Sequence, residues 1–293
     1  MNSYLEFSVT LFSVFAFIFG ACVGSFINVC AWRLPRDESI VSPPSHCPKC
    51  NHQLAWFENI PILSWLFLIA KCRKCSQSIS PKYIIVETIT ALLFLFAWLK
   101  SLSLNQPAMF FPYCALVFMI VVTILIDTEH MIIPDEITYS VAFAGLFFAV
   151  FLPQNWYGEI NVFYKFAKFA NPLNERLLAF SFSFISLLIS ALALAIFAII
   201  GKMIFKCEAL GWGDVKYIGA LGACLGLPAC FWTLLAGSVL GTSYGLILIF
   251  FKNAKWKTAI PLGPFLSAGT LLWIFLGDRI IQAYIELTLI LAR

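Results

Sequence analysis

The sequence predicts an all-α membrane protein with about eight transmembrane helices and a small cytoplasmic loop domain that binds zinc. Three observations support this fold class. Of the 293 residues, 61% are hydrophobic and only 12% are charged, whereas about a quarter of the residues in soluble domains are charged. The apolar residues form runs close to the ~20 residues that a helix needs to cross a bilayer. Four cysteines lie in two Cys-x-x-Cys pairs between the first two runs.

Each apolar run predicts one element of the fold. No Lys or Arg precedes the first run and no small-residue cleavage site follows it, so we interpret it as a retained helix rather than a signal peptide. The chain then divides into a first helix at 1–32, a cysteine-rich domain at 33–82 and a helical core at 83–293. Spanning helices are expected near residues 7–31, 83–99, 108–126, 137–152, 178–204, 215–227, 229–251 and 260–278.

The basic residues predict the orientation in the membrane. Thirteen of the 19 Lys and Arg residues lie on the side of loops 32–82, 127–136, 205–216 and 252–259 and the end of the fifth helix. By the positive-inside rule this side is cytoplasmic, and the N-terminus is periplasmic. Because these residues lie in short loops, we interpret the net charge of +4 as a topology signal and expect no nucleic-acid partner. The mixed segment 153–177 is expected outside.

The cysteine pairs predict a metal site. Cys47 and Cys50 are separated by 21 residues from Cys72 and Cys75, and this spacing is typical of a tetrahedral thiolate site, most often for zinc. Disulfides or free thiols are the alternatives, but a reducing cytoplasmic loop disfavours stable disulfides. Four thiolates leave no open coordination position, so the zinc is expected to be structural. A thiol-redox protein would need this loop outside the membrane, against the charge count.

Two aspartates at the ends of apolar runs are the candidate catalytic residues. Asp127 ends the third run, and Asp214 follows Gly211 and Gly213 just before the sixth. Acids in or beside the bilayer are costly and therefore functional candidates, although Asp127 also fits an interfacial residue and Asp214 a helix cap. Two carboxylates that meet share a proton, so one activates water while the other protonates the scissile amide. A proton- or cation-coupled transporter is the alternative.

Several segments together resemble one family. They are residues 24–29, 33–35, 44–50, 59–66, 71–75, 83, 86–87, 127–135 and 211–216. In these segments the chain resembles the type IV prepilin leader peptidases, which are aspartic peptidases of the bacterial inner membrane with a Gly-x-Gly-Asp motif. The resemblance implies that Asp127 and Asp214 form a dyad that cuts the basic leader of prepilins and pseudopilins after a Gly at the cytoplasmic face. These substrates belong to type IV pili and type II secretion.

The same resemblance implies a second activity. Many members of the family methylate the new N-terminus of the cut product with S-adenosylmethionine, and a zinc-binding cytoplasmic domain accompanies this activity. No Gly-rich nucleotide fingerprint appears in the chain, so the sequence does not locate the methyl-donor site. It also does not predict the oligomeric state.

Residues near the aspartates are supporting or substrate-binding candidates. Gly211 and Gly213 permit φ > 0 and a close backbone approach. Lys216 is either a site residue or a base that snorkels to the interface. Glu129 adds negative charge beside Asp127, where a basic leader would be attracted.

Two features of the first half of the chain belong to the same prediction. Glu87 is a further site candidate as an acid within an apolar run, or it forms an ion pair with Lys82 or Arg33 at the interface. The chain departs from the family at Ile69-Ala70, where Arg-Gly is common. A small flexible residue at this point is associated with methyl transfer.

Overall fold

Helices account for nearly the whole fold. The computed structural model describes residues 2–153, 175–206, 210–252 and 260–291, and within these ranges there is no β-strand. This confirms the all-α prediction. The helices are α1 (Asn2–Arg33), α2 (Leu63–Phe67), α3 (Pro81–Ser103), α4 (Phe110–His130), α5 (Asp135–Phe151), α6 (Glu175–Phe205), α7 (Trp212–Lys252) and α8 (Gly263–Leu291). Most of the expected external segment 153–177 and the loop 253–259 lie outside the described residues.

In the described ranges, six helices are long and apolar enough to cross a membrane, namely α1, α3, α4, α6, α7 and α8. The predicted helix at 137–152 corresponds to α5, whose 17 residues are fewer than the ~20 that span a bilayer. The predicted helices at 215–227 and 229–251 are both part of α7, which kinks at Gly226 (φ 77°) next to Pro228. Proline removes a helical hydrogen bond and bends the chain, and the non-helical backbone at Gly226 separates α7 into two helical stretches that correspond to the two predicted helices. The number of spans stays a prediction.

The chain forms two compact units, Met1–Val122 and Thr123–Arg293. In the first unit α1 packs along α3. A Cβ atom at Gly20 would lie 2.7 Å from the Phe94 Cβ, and one at Gly24 would lie 2.7 Å from the Glu87 Cα. Spacing of small residues by four lets two membrane helices approach closely, so this glycine pair explains the packing. The predicted cysteine-rich domain, residues 33–82, lies in this unit, and its boundaries stay a prediction.

In the second unit α7 packs against α5, α6 and α8. Small and hydroxyl-bearing residues line these contacts. The Ser183 hydroxyl of α6 donates to the Ala223 carbonyl at 2.6 Å, and a Cβ at Gly145 of α5 would lie 2.9 Å from the same carbonyl carbon. The buried Tyr217 hydroxyl hydrogen-bonds to Thr270 of α8 at 3.1 Å. Such close contacts hold the first turns of α7 in place, and these turns carry one of the candidate aspartates.

Candidate functional site

Asp127 lies in the last turn of α4 and is only 5% exposed. The backbone N–H of Gly263, at the start of α8, donates to its Oδ2 atom at 2.8 Å. A Cβ at position 263 would lie 2.8 Å from this oxygen and 2.9 Å from the Thr123 Cγ2, so only glycine allows the approach. The first N–H groups of a helix have no partner within the helix and favour negative charge. Gly263 therefore holds and stabilises the Asp127 carboxylate.

Thr123 lies one helical turn before Asp127, on the same side of α4. Its side chain is fully buried, and its hydroxyl oxygen has no hydrogen-bond partner in the part of the chain that the structure describes. An unpaired buried hydroxyl costs about 1–3 kcal/mol. Such a group next to a buried carboxylate is suited to bind a polar ligand at this point.

Asp214 lies in the first turn of α7 and is 8% exposed. Its backbone N–H donates to the Gly211 carbonyl at 3.2 Å, and a Cβ at Gly211 would lie 3.3 Å from its Oδ2 atom. A Cβ at Gly213 would lie 3.0 Å from the Ile133 Cβ, in the connection between α4 and α5. Both glycines thus permit close approaches, one to the aspartate itself and one to the segment that follows Asp127.

Lys216 joins the same two segments. Its Nζ atom donates to both carboxylate oxygens of Asp135 at 2.7 and 2.6 Å, which links the start of α7 to the start of α5. Partly exposed ion pairs contribute about 0–1 kcal/mol, so this pair adds orientation more than stability. Lys216 therefore forms an ion pair two residues after Asp214, and its role as a site residue stays a prediction.

The two aspartates lie on segments that pack together, because Ile133, in the connection that follows Asp127, lies against Gly213, the residue before Asp214, and the two carboxylates interact electrostatically. Both carboxylates are buried, and two such groups cannot both be ionised cheaply. One of them can then accept a proton from water while the other donates one, which is the arrangement of an acid–base pair. Glu129, in contrast, is exposed on the last turn of α4.

Gly263 and Thr123 lie beside the candidate residue Asp127, and the sequence did not predict either of them. Gly263 lies in the segment Pro261-Leu262-Gly263-Pro264, and a proline in the first helical turn signals a helix start. That signal marks the beginning of α8 but not its contact with α4. Thr123 is a single polar residue within an apolar run, and this pattern is the one sequence feature that indicates a special role for it.

Glu87 lies in the first unit, and its role as a site residue stays a prediction. It is buried on α3, and its Oε2 atom accepts a hydrogen bond from the Ile62 backbone N–H at 2.7 Å. Arg33 does not pair with it and instead donates to the carbonyls of Ser39 and Pro43. Glu87 therefore orders the segment before α2.

The four cysteines of the first unit form a cluster. Their sulfur atoms all lie within 4.8 Å of one another, with Cys47 and Cys75 at 3.9 Å and Cys50 and Cys72 at 4.0 Å. Tetrahedral zinc with Zn–S bonds of about 2.3 Å places its sulfurs about 3.8 Å apart. A disulfide needs about 2.05 Å. The cluster fits a zinc ion and does not fit a pair of disulfides.

The backbone around each cysteine pair has the same form. The Cys47 N–H donates to the His52 carbonyl at 2.9 Å, and the Cys72 N–H donates to the Gln77 carbonyl at 2.8 Å. Asn51 and Ser76, each just after the second cysteine of its pair, have φ of 53° and 56°. The N–H groups of Cys75 and Lys74 hydrogen-bond to the Cys72 sulfur and lower the pKa of this thiol, while burial and the neighbouring thiols hold the proton on Cys75 and raise its pKa. The geometry at Cys72 favours the thiolate that a metal binds.

Glu58 stabilises the segment between the two pairs. It is buried, and its Oε2 atom accepts the Ala55 N–H at 2.8 Å and lies 3.2 Å from the His52 Nε2. The bond from Ala55 holds the pKa of this carboxyl below its usual value, and His52 adds to the effect. His52 thus contacts a carboxylate and lies outside the sulfur cluster.

Ile69 and Ala70 both adopt the left-handed backbone region, with φ of 50° and 55°. Alanine pays a steric cost there that glycine does not. Ala70 therefore adopts the left-handed backbone conformation that favours glycine, the residue common in the family at this position.

Comparisons with known proteins match both units. The profile of the type IV leader peptidase family matches residues 113–246, and that of the bacterial peptidase A24 N-terminal domain matches residues 18–101. The chain is similar to the prepilin leader peptidase/N-methyltransferase of Aeromonas salmonicida, with 30% identity over 301 residues and 94% of each chain covered. The corresponding protein of Pseudomonas aeruginosa is 30% identical over 308 residues, with 97% of each covered.

A third relative is matched over only part of its length. The protein of the same name from Myxococcus xanthus is 37% identical over 239 residues, which cover 82% of this chain and 64% of that protein. The match therefore spans less than two thirds of that relative. No solved structure was found to be similar to the chain.

Proposed function

Because this chain belongs to the type IV leader peptidase family, we propose that it cuts the basic leader from prepilins and pseudopilins with Asp127 and Asp214. The observation that supports this proposal is that both carboxylates are buried, that the Gly263 N–H holds Asp127, and that Gly213, next to Asp214, packs against Ile133 in the segment that follows Asp127. The transporter alternative receives no support from the relatives, which are named as peptidases and methyltransferases.

The two aspartates have different surroundings, which suggests different roles. Asp127 accepts the Gly263 N–H at one oxygen, and such a bond favours the charged carboxylate. We assign Asp127 as the base that takes a proton from water while the water oxygen attacks the scissile carbonyl carbon. Asp214, in its protonated form, donates to the carbonyl oxygen. When the carbon–nitrogen bond breaks, the leaving nitrogen takes up a proton from the pair.

The surroundings of the pair fit a basic leader joined to an apolar helix. Glu129 and Glu136 are exposed near the end of α4 and the start of α5, and exposed acids attract a basic segment. The Thr123 hydroxyl is buried and has no hydrogen-bond partner among the described residues, so we propose that it binds the attacking water or the substrate backbone once the substrate is bound. We propose that this face is cytoplasmic and the N-terminus periplasmic in a multi-pass protein of the bacterial inner membrane, as the positive-inside rule suggests.

We further propose methylation of the new N-terminus and a structural zinc ion. Methyl transfer is supported by the names of the relatives, and S-adenosylmethionine would supply the methyl group. Zinc, held by Cys47, Cys50, Cys72 and Cys75, would stabilise the loop fold by neutralising and cross-linking four thiolates. Neither the base nor the acid of the cleavage step needs it.

The test is cleavage of a purified prepilin by enzyme in detergent, followed by intact mass spectrometry. Asp127→Asn and Asp214→Asn are expected to leave the leader attached. Asp37→Asn, at an exposed aspartate of the first unit, is the matched control and is expected to cut like the wild type. Cleavage by either variant of the pair at the wild-type rate contradicts the assignment.

A further inference from the structure

The first unit contains a cavity of about 340 Å³. One side of α1 forms its floor, and two loop segments near residues 40–45 and 59–61 form its walls. Its lining includes Ser25, Val29, Arg33 and Asn59. Ligand pockets in proteins commonly have volumes of about 300–1,000 Å³, so the cavity is large enough for a small organic molecule.

Arg33 gives one end of the cavity a buried positive charge. It is 6% exposed, and its guanidinium donates to the Ser39 carbonyl at 2.9 Å and the Pro43 carbonyl at 2.7 Å. A guanidinium has five N–H donors, so donors remain. In the ranges that the structure describes, no carboxylate forms an ion pair with it. Because a buried charge is costly unless it is paired, this end favours a ligand with an anionic group.

The other end has a buried negative charge behind its wall. Glu87 interacts with Ser25, which lines the cavity, and accepts a hydrogen bond from the Ile62 N–H at 2.7 Å. Ile62 has φ 64° and ψ −53°, and the Leu63 N–H donates to the Pro61 carbonyl at 2.6 Å. This is a γ-turn of the rare, strained form with positive φ. Strained backbone of this kind is concentrated at binding and active sites.

The two charges are separated along α1. Ser25 and Arg33 are eight residues apart, which is about 12 Å of helix rise at ~1.5 Å per residue. A ligand that fills the cavity therefore meets a cation at one end and the influence of a carboxylate toward the other. The matching molecule is elongated and carries a carboxylate and a separate positive charge.

We propose that this cavity binds the methyl donor, S-adenosylmethionine, with its carboxylate on Arg33 and its polar groups near Ser25 and Asn59. The inference rests on the proposed methyl transfer and assigns that activity a site. In the transfer, the unprotonated N-terminal amine of the cut product attacks the methyl carbon. The carbon–sulfur electron pair stays on sulfur, which leaves S-adenosylhomocysteine, and the amine releases a proton to water.

The first test fills the cavity. Val29→Trp places a large ring in it, and Val14→Trp makes the same change at a position of α1 that is 52% exposed and outside the cavity. Binding of S-adenosylhomocysteine to the purified full-length protein is measured by titration calorimetry. We expect Val29→Trp to weaken binding about tenfold or more and to leave the cut product unmethylated. Leader cleavage should persist, and Val14→Trp should behave like the wild type.

The second test removes the charge with Arg33→Gln and compares two ligands. S-adenosylhomocysteine has the carboxylate, and 5′-methylthioadenosine lacks it. We expect the wild type to prefer the first. The variant should lose about tenfold of that preference, because the charged hydrogen bond to the ligand carboxylate is removed. Retained binding of 5′-methylthioadenosine shows that the variant still folds.

The outcomes separate this inference from the proposed function. The cavity is not the donor site if Val29→Trp binds S-adenosylhomocysteine and methylates the product as well as the wild type does. The same conclusion follows if Arg33→Gln keeps the full preference for S-adenosylhomocysteine over 5′-methylthioadenosine. If the wild type cuts the leader but neither binds donor nor methylates, the proposed methyl transfer is wrong and the site assignment with it. Failure of the wild type to cut the leader contradicts the peptidase proposal and leaves the binding comparison to decide the cavity.

Discussion

Gly263→Ala is expected to reduce leader cleavage strongly while the protein stays folded. The added Cβ would lie 2.8 Å from the Asp127 Oδ2 and 3.1 Å from its Cγ, so the start of α8 or the carboxylate must move. The move breaks the 2.8 Å hydrogen bond from the Gly263 N–H. A hydrogen bond to a charged group is worth about 1.5–3 kcal/mol, which corresponds to about a 10- to 100-fold loss of rate.

The assay is single-turnover cleavage of a prepilin with enzyme in excess, so that the rate reports the chemical step. Gly241→Ala is the matched control, because a Cβ there meets its nearest neighbour, Phe265, at an ordinary contact distance of 3.4 Å. The control should cut at nearly the wild-type rate. Thr123→Ser removes the methyl group that also opposes the new Cβ, and it should restore part of the lost rate in the double variant. Wild-type cleavage by folded Gly263→Ala would refute the positioning role.

Three further changes have expected outcomes. Thr123→Val should leave the melting temperature unchanged or raise it, because it removes a buried hydroxyl that is unpaired among the described residues. The same variant should lower the cleavage rate about tenfold. An unchanged cleavage rate would contradict the role of the hydroxyl in binding water or substrate. Metal analysis of the wild type should find about one zinc ion per chain. Cys50→Ser should lose the zinc and have a lower melting temperature, while it still cuts the leader. A metal-free wild type with four reactive thiols would contradict the zinc proposal. Ala70→Gly should raise stability by about 1 kcal/mol in thermal unfolding, since φ is 55° and alanine is strained there; a lower melting temperature contradicts this.

The helices were predictable because a bilayer requires long apolar runs, and these runs are visible without knowledge of packing. Their number was harder to predict. Pro228 marks the boundary of two predicted helices, and the helical backbone is interrupted two residues before it, at Gly226 with φ 77°. Whether a proline ends a helix or kinks it depends on the neighbouring helices, which local sequence does not contain.

The candidate site was predictable where its residues form short motifs. Asp214 follows two glycines, Asp127 ends an apolar run, and the cysteines are spaced in pairs. Gly263 was not predictable, because its contact with Asp127 joins residues 136 positions apart through helix packing. The partner of Glu87 was equally hidden, since a β-branched residue such as Ile62 is the least expected residue at positive φ.

The two contacts that the sequence did not predict are of the same kind, and there is one in each unit. In both, a backbone N–H donates to a buried carboxylate, from Gly263 to Asp127 and from Ile62 to Glu87. A backbone donor has no side-chain freedom to lose, so it fixes a carboxylate at a smaller entropic cost than Lys or Arg would. It also adds no full positive charge, so it orients the Asp127 carboxylate without removing the negative charge that a base requires.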